Sequence, residues 1–166
     1  MVHLHLHSHF SFGTGVSSPE VLAAAAAERG YRALACTDSN GVYGAVEFQR
    51  ACEAAGVRPI LGAHQITGWE ETVALATDER GWAALCRVVS AIHWAEVERS
   101  EEKIVPLSAA KRSMPGNGRL RSARADNLLS TQLAHDRDGL VLLSRDVAFL
   151  ERVAAASRAE RSMSSP

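Results

Sequence analysis

The chain opens on a strict alternation of apolar and polar residues from Val2 to Ser8. That period predicts a β-strand. Val2, Leu4 and Leu6 would share one face, and His3, His5, His7 and His9 the other. A loop follows over Phe10 to Val16, with glycines at 13 and 15. Ser17 and Glu20 predict a capping box, and Pro19 suits a first helical turn. This helix runs through the alanines to Arg29, with Gly30 just past its end.

A second strand is expected over Arg32 to Thr37, ending in the turn cluster Asp38-Ser39-Asn40-Gly41. A helix from about Tyr43 to Ala55 would face inward through Ala45, Phe48, Cys52 and Ala55. Arg58 to Leu61 leads into a third strand near Gly62 to Thr67, and Glu71 to Ala76 reads as a fourth. Thr77 or Asp78 can cap a helix over 79–93, with the stripe Trp82, Leu85, Cys86, Val89 and Ile92. His93 would then close that helix, where it can interact with the dipole. Beyond residue 95 the pattern weakens. Residues 96–103 are mostly charged, and 111–127 read as a long basic loop. Gly139 to Ser144 is expected as a buried strand, Ala148 to Arg158 as a helix, and 159–166 as a disordered tail. One domain over 1–158 accounts for all of it.

The β-α-β-α-β-β-α order predicts an α/β fold with a largely parallel sheet. Function in such folds gathers at the carboxyl ends of the strands. A chain of 166 residues, 46% hydrophobic and 22% charged, suits a single soluble domain with a sizeable core. The net charge of −1 draws it neither to nucleic acid nor to membrane. Residues 1–110 carry a net of −5 and residues 111–166 a net of +4. That basic half is a solvated surface or a weak phosphate-facing patch. Cys36, Cys52 and Cys86 form no CxxC pair and read as reduced thiols of a cytoplasmic protein. The start lacks the features of a signal peptide. Trp69, Trp82 and Trp94 are too scattered for a base-stacking platform and are assigned to packing.

Chemistry concentrates on the histidine strand. Imidazole is a ligand for zinc, iron and manganese, and a His-x-His pair on a strand aims both rings the same way. One such histidine would be an ordinary polar residue; four on one face point to metal.

The order of residues adds a resemblance. HLHLHSHFSFGTG resembles the first motif of the PHP (polymerase and histidinol phosphatase) domain, a His-x-His pair with a Ser four residues on, here His5, His7 and Ser11. ALACTDSNGVYGAVEFQRACEAAGVRPILGAH resembles the second and third motifs in the branch that opens bacterial DNA polymerase III alpha subunits and their error-prone relatives. The match is ungapped from Val2 to about Ala63 and extends to roughly residue 146. The resemblance implies a distorted, TIM-like (β/α) barrel of parallel strands, here incomplete. It implies up to three metals, zinc, manganese or iron, at the strand ends, and phosphoester hydrolysis by a multi-metal mechanism.

Carried over by position, the metal ligands would be His5, His7, Asp38, His64 and Glu71. His64 stands where the family has Glu, and Glu71 where it has His. Thr14 and Ser39 stand where the branch has Asp and His, and both are poor ligands. The family's late Asp-x-His pair has no counterpart, since His135-Asp136 has the wrong order. Three functions follow as expectations. The first is a catalytically degraded PHP domain that is structural or partner-binding, its partners being polymerase or replication proteins or a second copy. The second is a metal-dependent phosphoric ester hydrolase, phosphatase or 3′–5′ exonuclease in type. The third is a metal-binding module without catalysis. Catalytic residues are not assigned, and the metal itself is either kept or lost with the missing ligands. The length excludes polymerase activity. A barrel cut partway would leave two open sheet edges.

Overall fold

The computed structural model describes residues 1–68, 70–103 and 128–163. The expected basic loop 111–127 and the last three residues of the expected tail lie outside them. In chain order the elements are β1 (Val2–His3), α1 (Pro19–Glu28), β2 (Ala33–Ser39), α2 (Ala45–Ala54) and β3 (Arg58–Thr67). They continue with β4 (Glu70–Ala76), α3 (Glu79–Lys103), α4 (Leu128–His135), β5 (Leu140–Leu143) and α5 (Val147–Met163).

The strands form one five-stranded sheet in the order β1-β2-β3-β4-β5. The α/β class holds, but the sheet is mixed rather than largely parallel. β1, β2 and β3 run parallel through helical crossovers. β4 is antiparallel to β3, and β5 to β4. The reason is chain length: only two residues separate Thr67 from Glu70, which pair with each other, and so short a link can only build a hairpin. Gly68 takes φ +56°, which two-residue hairpin turns demand.

The register sorts the sheet into two faces. Leu34 and Cys36 of β2 join Phe48 and Cys52 of α2 and Ala23 and Ala26 of α1 in one core. Ala63 and Ala74 pack on Leu85 and Val89 of α3. Val88 and Ile92 of α3 meet Leu129 and Leu133 of α4 and Phe149 and Val153 of α5. The other face carries Ala35, Ile60, Val73 and Leu75 in a smaller cluster, and the pairings place His64 and Glu71 on that same side. The sheet is therefore a half-barrel with its helices outside and His64 and Glu71 inside, while Asp38, paired with Ala63, stands on the helix side.

Several local expectations change. The β1 ladder stops at His3, although Leu6 still accepts from Thr37 N at 2.8 Å. Of the apolar face of that strand only Leu6 packs into the core; Val2 and Leu4 are exposed. The α1 cap is Ser18, one residue later than expected, with its hydroxyl accepting from Val21 N. Asp78 caps α3 by accepting from Gly81 N at 2.8 Å, while Thr77 binds the Gly139 carbonyl instead.

The α3 helix continues to Lys103, so His93 lies inside it and not at its end. There His93 Nε2 lies 2.7 Å from the Asn40 carbonyl oxygen and ties α3 to the turn after β2. Trp94 on the same helix is exposed, not packed. The β5 strand is an edge strand with Val141 and Leu143 exposed, rather than a buried one. α5 continues through residues 159–163, which were expected in the tail. The three cysteines are free, and burial pushes the Cys36 thiol up to about 12 and the Cys52 thiol to about 11.

Candidate metal centre

The site stands where the chain leaves β1 and β3 and enters β4. His5 and His7 follow β1, and the bond from Thr37 N to Leu6 O holds that stretch against β2. His64 stands near the end of β3, opposite Val73 of β4 and beside Ser39 of β2. Ligand atoms of His5, His7 and His64 lie within 4.8 Å of one another. Among the described residues this is the group of three that can hold an ion. His3 and His9 are exposed and outside it; the His9 ring stacks on Phe10.

The other expected residues take distinct places. Glu71 accepts from His64 Nε2 at 2.8 Å, its own side chain largely in solvent. Asp38 is buried and stands behind the triad. Its Oδ1 accepts from Ser8 N at 2.7 Å and Ser11 Oγ at 2.6 Å. Its Oδ2 accepts from Ser8 Oγ at 2.7 Å and Cys36 Sγ at 3.3 Å. A carboxylate so engaged ties the loop after β1 to the end of β2. Ser11 Oγ also lies 3.0 Å from His7 Nδ1 and receives Ser39 N at 3.0 Å. Ser39 Oγ is 3.5 Å from His7 Nδ1. Thr14 is exposed and contributes its backbone N–H to Ser11 O. His135-Asp136 serves structure: Asp136 accepts from Arg87 and Gln132.

Burial, and then the neighbouring His64, lowers the pKa of His5 and of His7 below that of free imidazole. Both rings therefore stay neutral, the form that binds metal, to a lower pH than usual. The donor set fits a cation in two further ways. His5 Nε2 and His7 Nε2 lie 3.0 Å apart, a contact that needs a proton or a cation between two lone pairs. His64 gives Nε2–H to Glu71 and keeps Nδ1 buried with no partner. Three imidazoles, with a carboxylate bonded to one of them, are a borderline-soft set suited to zinc, iron or manganese.

A cavity of about 380 Å³ opens on the centre. His5, His64, Glu71 and Arg145 are among its lining residues. Sequence reasoning missed Arg145, which lies just after β5 in a stretch that matches no motif of the first strands.

The matching family is the PHP domain, over residues 3–144. The chain belongs to the PHP domain family. It is 43% identical over 144 residues to the error-prone DNA polymerase of Symbiobacterium thermophilum, covering 86% of this chain and 12% of that polymerase. It is 41% identical over 91 residues to the DNA polymerase III subunit alpha of Staphylococcus epidermidis, covering 52% of this chain and 8% of that subunit. The likeness thus falls on a small part of each relative. In fold, the PHP chain is similar to a putative metal-dependent phosphoesterase from Bifidobacterium adolescentis. The TM-score is 0.55 and the identity 16%, over 94% of this chain and 74% of that one. Among the described helices none is long and apolar enough to cross a membrane.

Proposed function

We propose that the chain is a PHP module of the polymerase III alpha kind whose metal centre is reduced to one divalent ion, and that it acts as a structural or partner-binding module. His5, His7 and His64 would hold the ion, with Glu71 bonded to His64. Asp38 would orient the centre from behind, since its oxygens are already committed. The observation that carries this is the contrast between the clustered triad and the positions of Ser39 and Thr14. Neither supplies an imidazole or carboxylate for a second ion, the neighbour that would clamp the phosphate in a multi-metal mechanism. Polymerase or replication proteins, or a second copy, would be its partners in the cytoplasm, with little direct hold on nucleic acid. The test is hydrolysis of chromogenic phosphate mono- and diesters with zinc, manganese or iron present. Little or no turnover is expected; robust turnover abolished by His7→Ala would overturn the reading.

A second reading, a working metal-dependent phosphoesterase, is favoured by the cavity. A three-histidine centre leaves a metal position open, and a bound divalent ion would make a nucleophile of a water there at neutral pH. Glu71 could accept a proton at the mouth, and the Arg145 guanidinium could receive a phosphate oxygen. Turnover that falls at least tenfold in Arg145→Gln, with metal content unchanged, would favour it over the first.

A further inference from the structure

We propose that Ser11 is a positioning residue which, driven by Asp38, holds His7 as the Nδ1–H tautomer and so presents the Nε2 lone pair to His5 and His64. Only the use of that lone pair for metal rests on the reading above; the tautomer itself does not.

The argument is a count of protons. A serine hydroxyl has one proton to give and two lone pairs to receive with. Ser11 Oγ has three polar neighbours: Asp38 Oδ1 at 2.6 Å, the Ser39 N–H at 3.0 Å and His7 Nδ1 at 3.0 Å. The Ser39 amide can only donate. Asp38 as a carboxylate has no proton to give and can only accept, as it does from Ser8 N, Ser8 Oγ and Cys36 Sγ. Ser8 Oγ itself receives Phe10 N, which leaves its proton for Asp38. Two oxygens 2.6 Å apart with no proton between them would repel. The Ser11 proton therefore goes to Asp38. Toward His7 the hydroxyl can then only accept, so His7 Nδ1 must carry the hydrogen.

A neutral imidazole protonated at Nδ1 is unprotonated at Nε2. In His7 that nitrogen faces His5 Nε2 at 3.0 Å. The chain Asp38–Ser11–His7 thus does for this ring what a carboxylate or carbonyl partner does for metal-bound histidines generally. A hydroxyl stands between the carboxylate and the ring. Ser39 Oγ, at 3.5 Å from the same Nδ1, is too distant to replace Ser11 without movement.

The experiment is a two-bond ¹H–¹⁵N correlation spectrum of the metal-free protein, labelled at histidine and held above pH 7. His7 is expected as the Nδ1–H tautomer in the native chain, moving toward Nε2–H in Ser11→Ala and further in Ser11→Ala/Ser39→Ala. Zinc affinity of Ser11→Ala should fall about 10–100-fold. An Nε2–H His7 in the native chain overturns the inference, and that spectrum decides even if a variant does not fold. An unchanged tautomer in a folded double variant also overturns it. The expected tautomers in a protein that takes up no zinc would uphold the inference and remove the metal centre.

Discussion

Ser11 Oγ stands 2.6 Å from Asp38 Oδ1, and through that bond the buried end of β2 reaches the histidines that follow β1. Asp38 gathers four donors from three residues, Ser8, Ser11 and Cys36. It is the structural junction of the site, whether or not an ion is bound.

Replacing Asp38 by Ala should therefore destabilise the fold itself. The buried Ser8 amide cannot turn to another acceptor, and the Ser8 and Ser11 hydroxyls lose theirs. At roughly 1–3 kcal/mol for each stranded group the loss should reach about 3 kcal/mol. Urea unfolding of the metal-free protein measures it; a loss under about 1 kcal/mol would mean that the junction carries little.

The loop that delivers Ser11 turns tightly at Gly15. A Cβ there would lie 1.9 Å from the Ser8 carbonyl oxygen, an approach no side chain tolerates. Gly15→Ala should displace the Ser8–Ser11 turn and weaken metal binding at least tenfold. Calorimetric titration with zinc checks this, and unchanged affinity would show that the loop accommodates the methyl without moving His7.

The pH dependence follows from His5 and His7. Their pKa values are lowered in the folded protein, first by burial and then by His64. Below the ordinary imidazole value near 6.5 the unfolded chain binds more protons than the folded one. Their contribution is thus full above about pH 6.5 and is lost as pH falls through the folded values. Metal-free stability should drop across that acid range, and His5→Gln/His7→Gln should flatten the drop. A profile unaltered in the double variant would assign the acid sensitivity elsewhere.

The first motifs showed much of this in advance. The ungapped run from Val2 to Ala63 placed His5, His7, Ser11, Asp38 and Ser39 around one end of the sheet. It did so because these residues fall on positions that the ungapped resemblance to the family's motifs marks. Exchanged residue types, His64 and Glu71, were legible for the same reason, and the structure brings them within 2.8 Å of each other.

What was not legible depended on distant partners. Leu129 and Leu133 make α4 only because Val88 and Ile92 of α3 and Phe149 of α5 supply its buried side. The alternate direction of β4 was implicit in the two-residue link before it, yet family barrels of parallel strands argued the other way. Arg145 entered the site through a cavity, and no local spacing marks a cavity. The committed oxygens of Asp38 were equally hidden, since the sequence shows a carboxylate but not its donors.

His64 separates a three-residue centre from one built on the histidine strand alone. His64→Ala should lower zinc affinity by two orders of magnitude or more, because it removes one of three ligands. Glu71→Gln should cost less, since Glu71 acts through His64. Bound metal that survives both changes unchanged would assign the ion to His5, His7 and their strand neighbours.

The most direct test is metal content per chain, measured by elemental analysis on the main peak of a sizing column, beside His5→Ala/His7→Ala. About one divalent ion per folded chain, lost in the double variant, is the expected result. A well-folded peak without metal, even after incubation with zinc, manganese or iron, would contradict a metal centre at His5, His7 and His64.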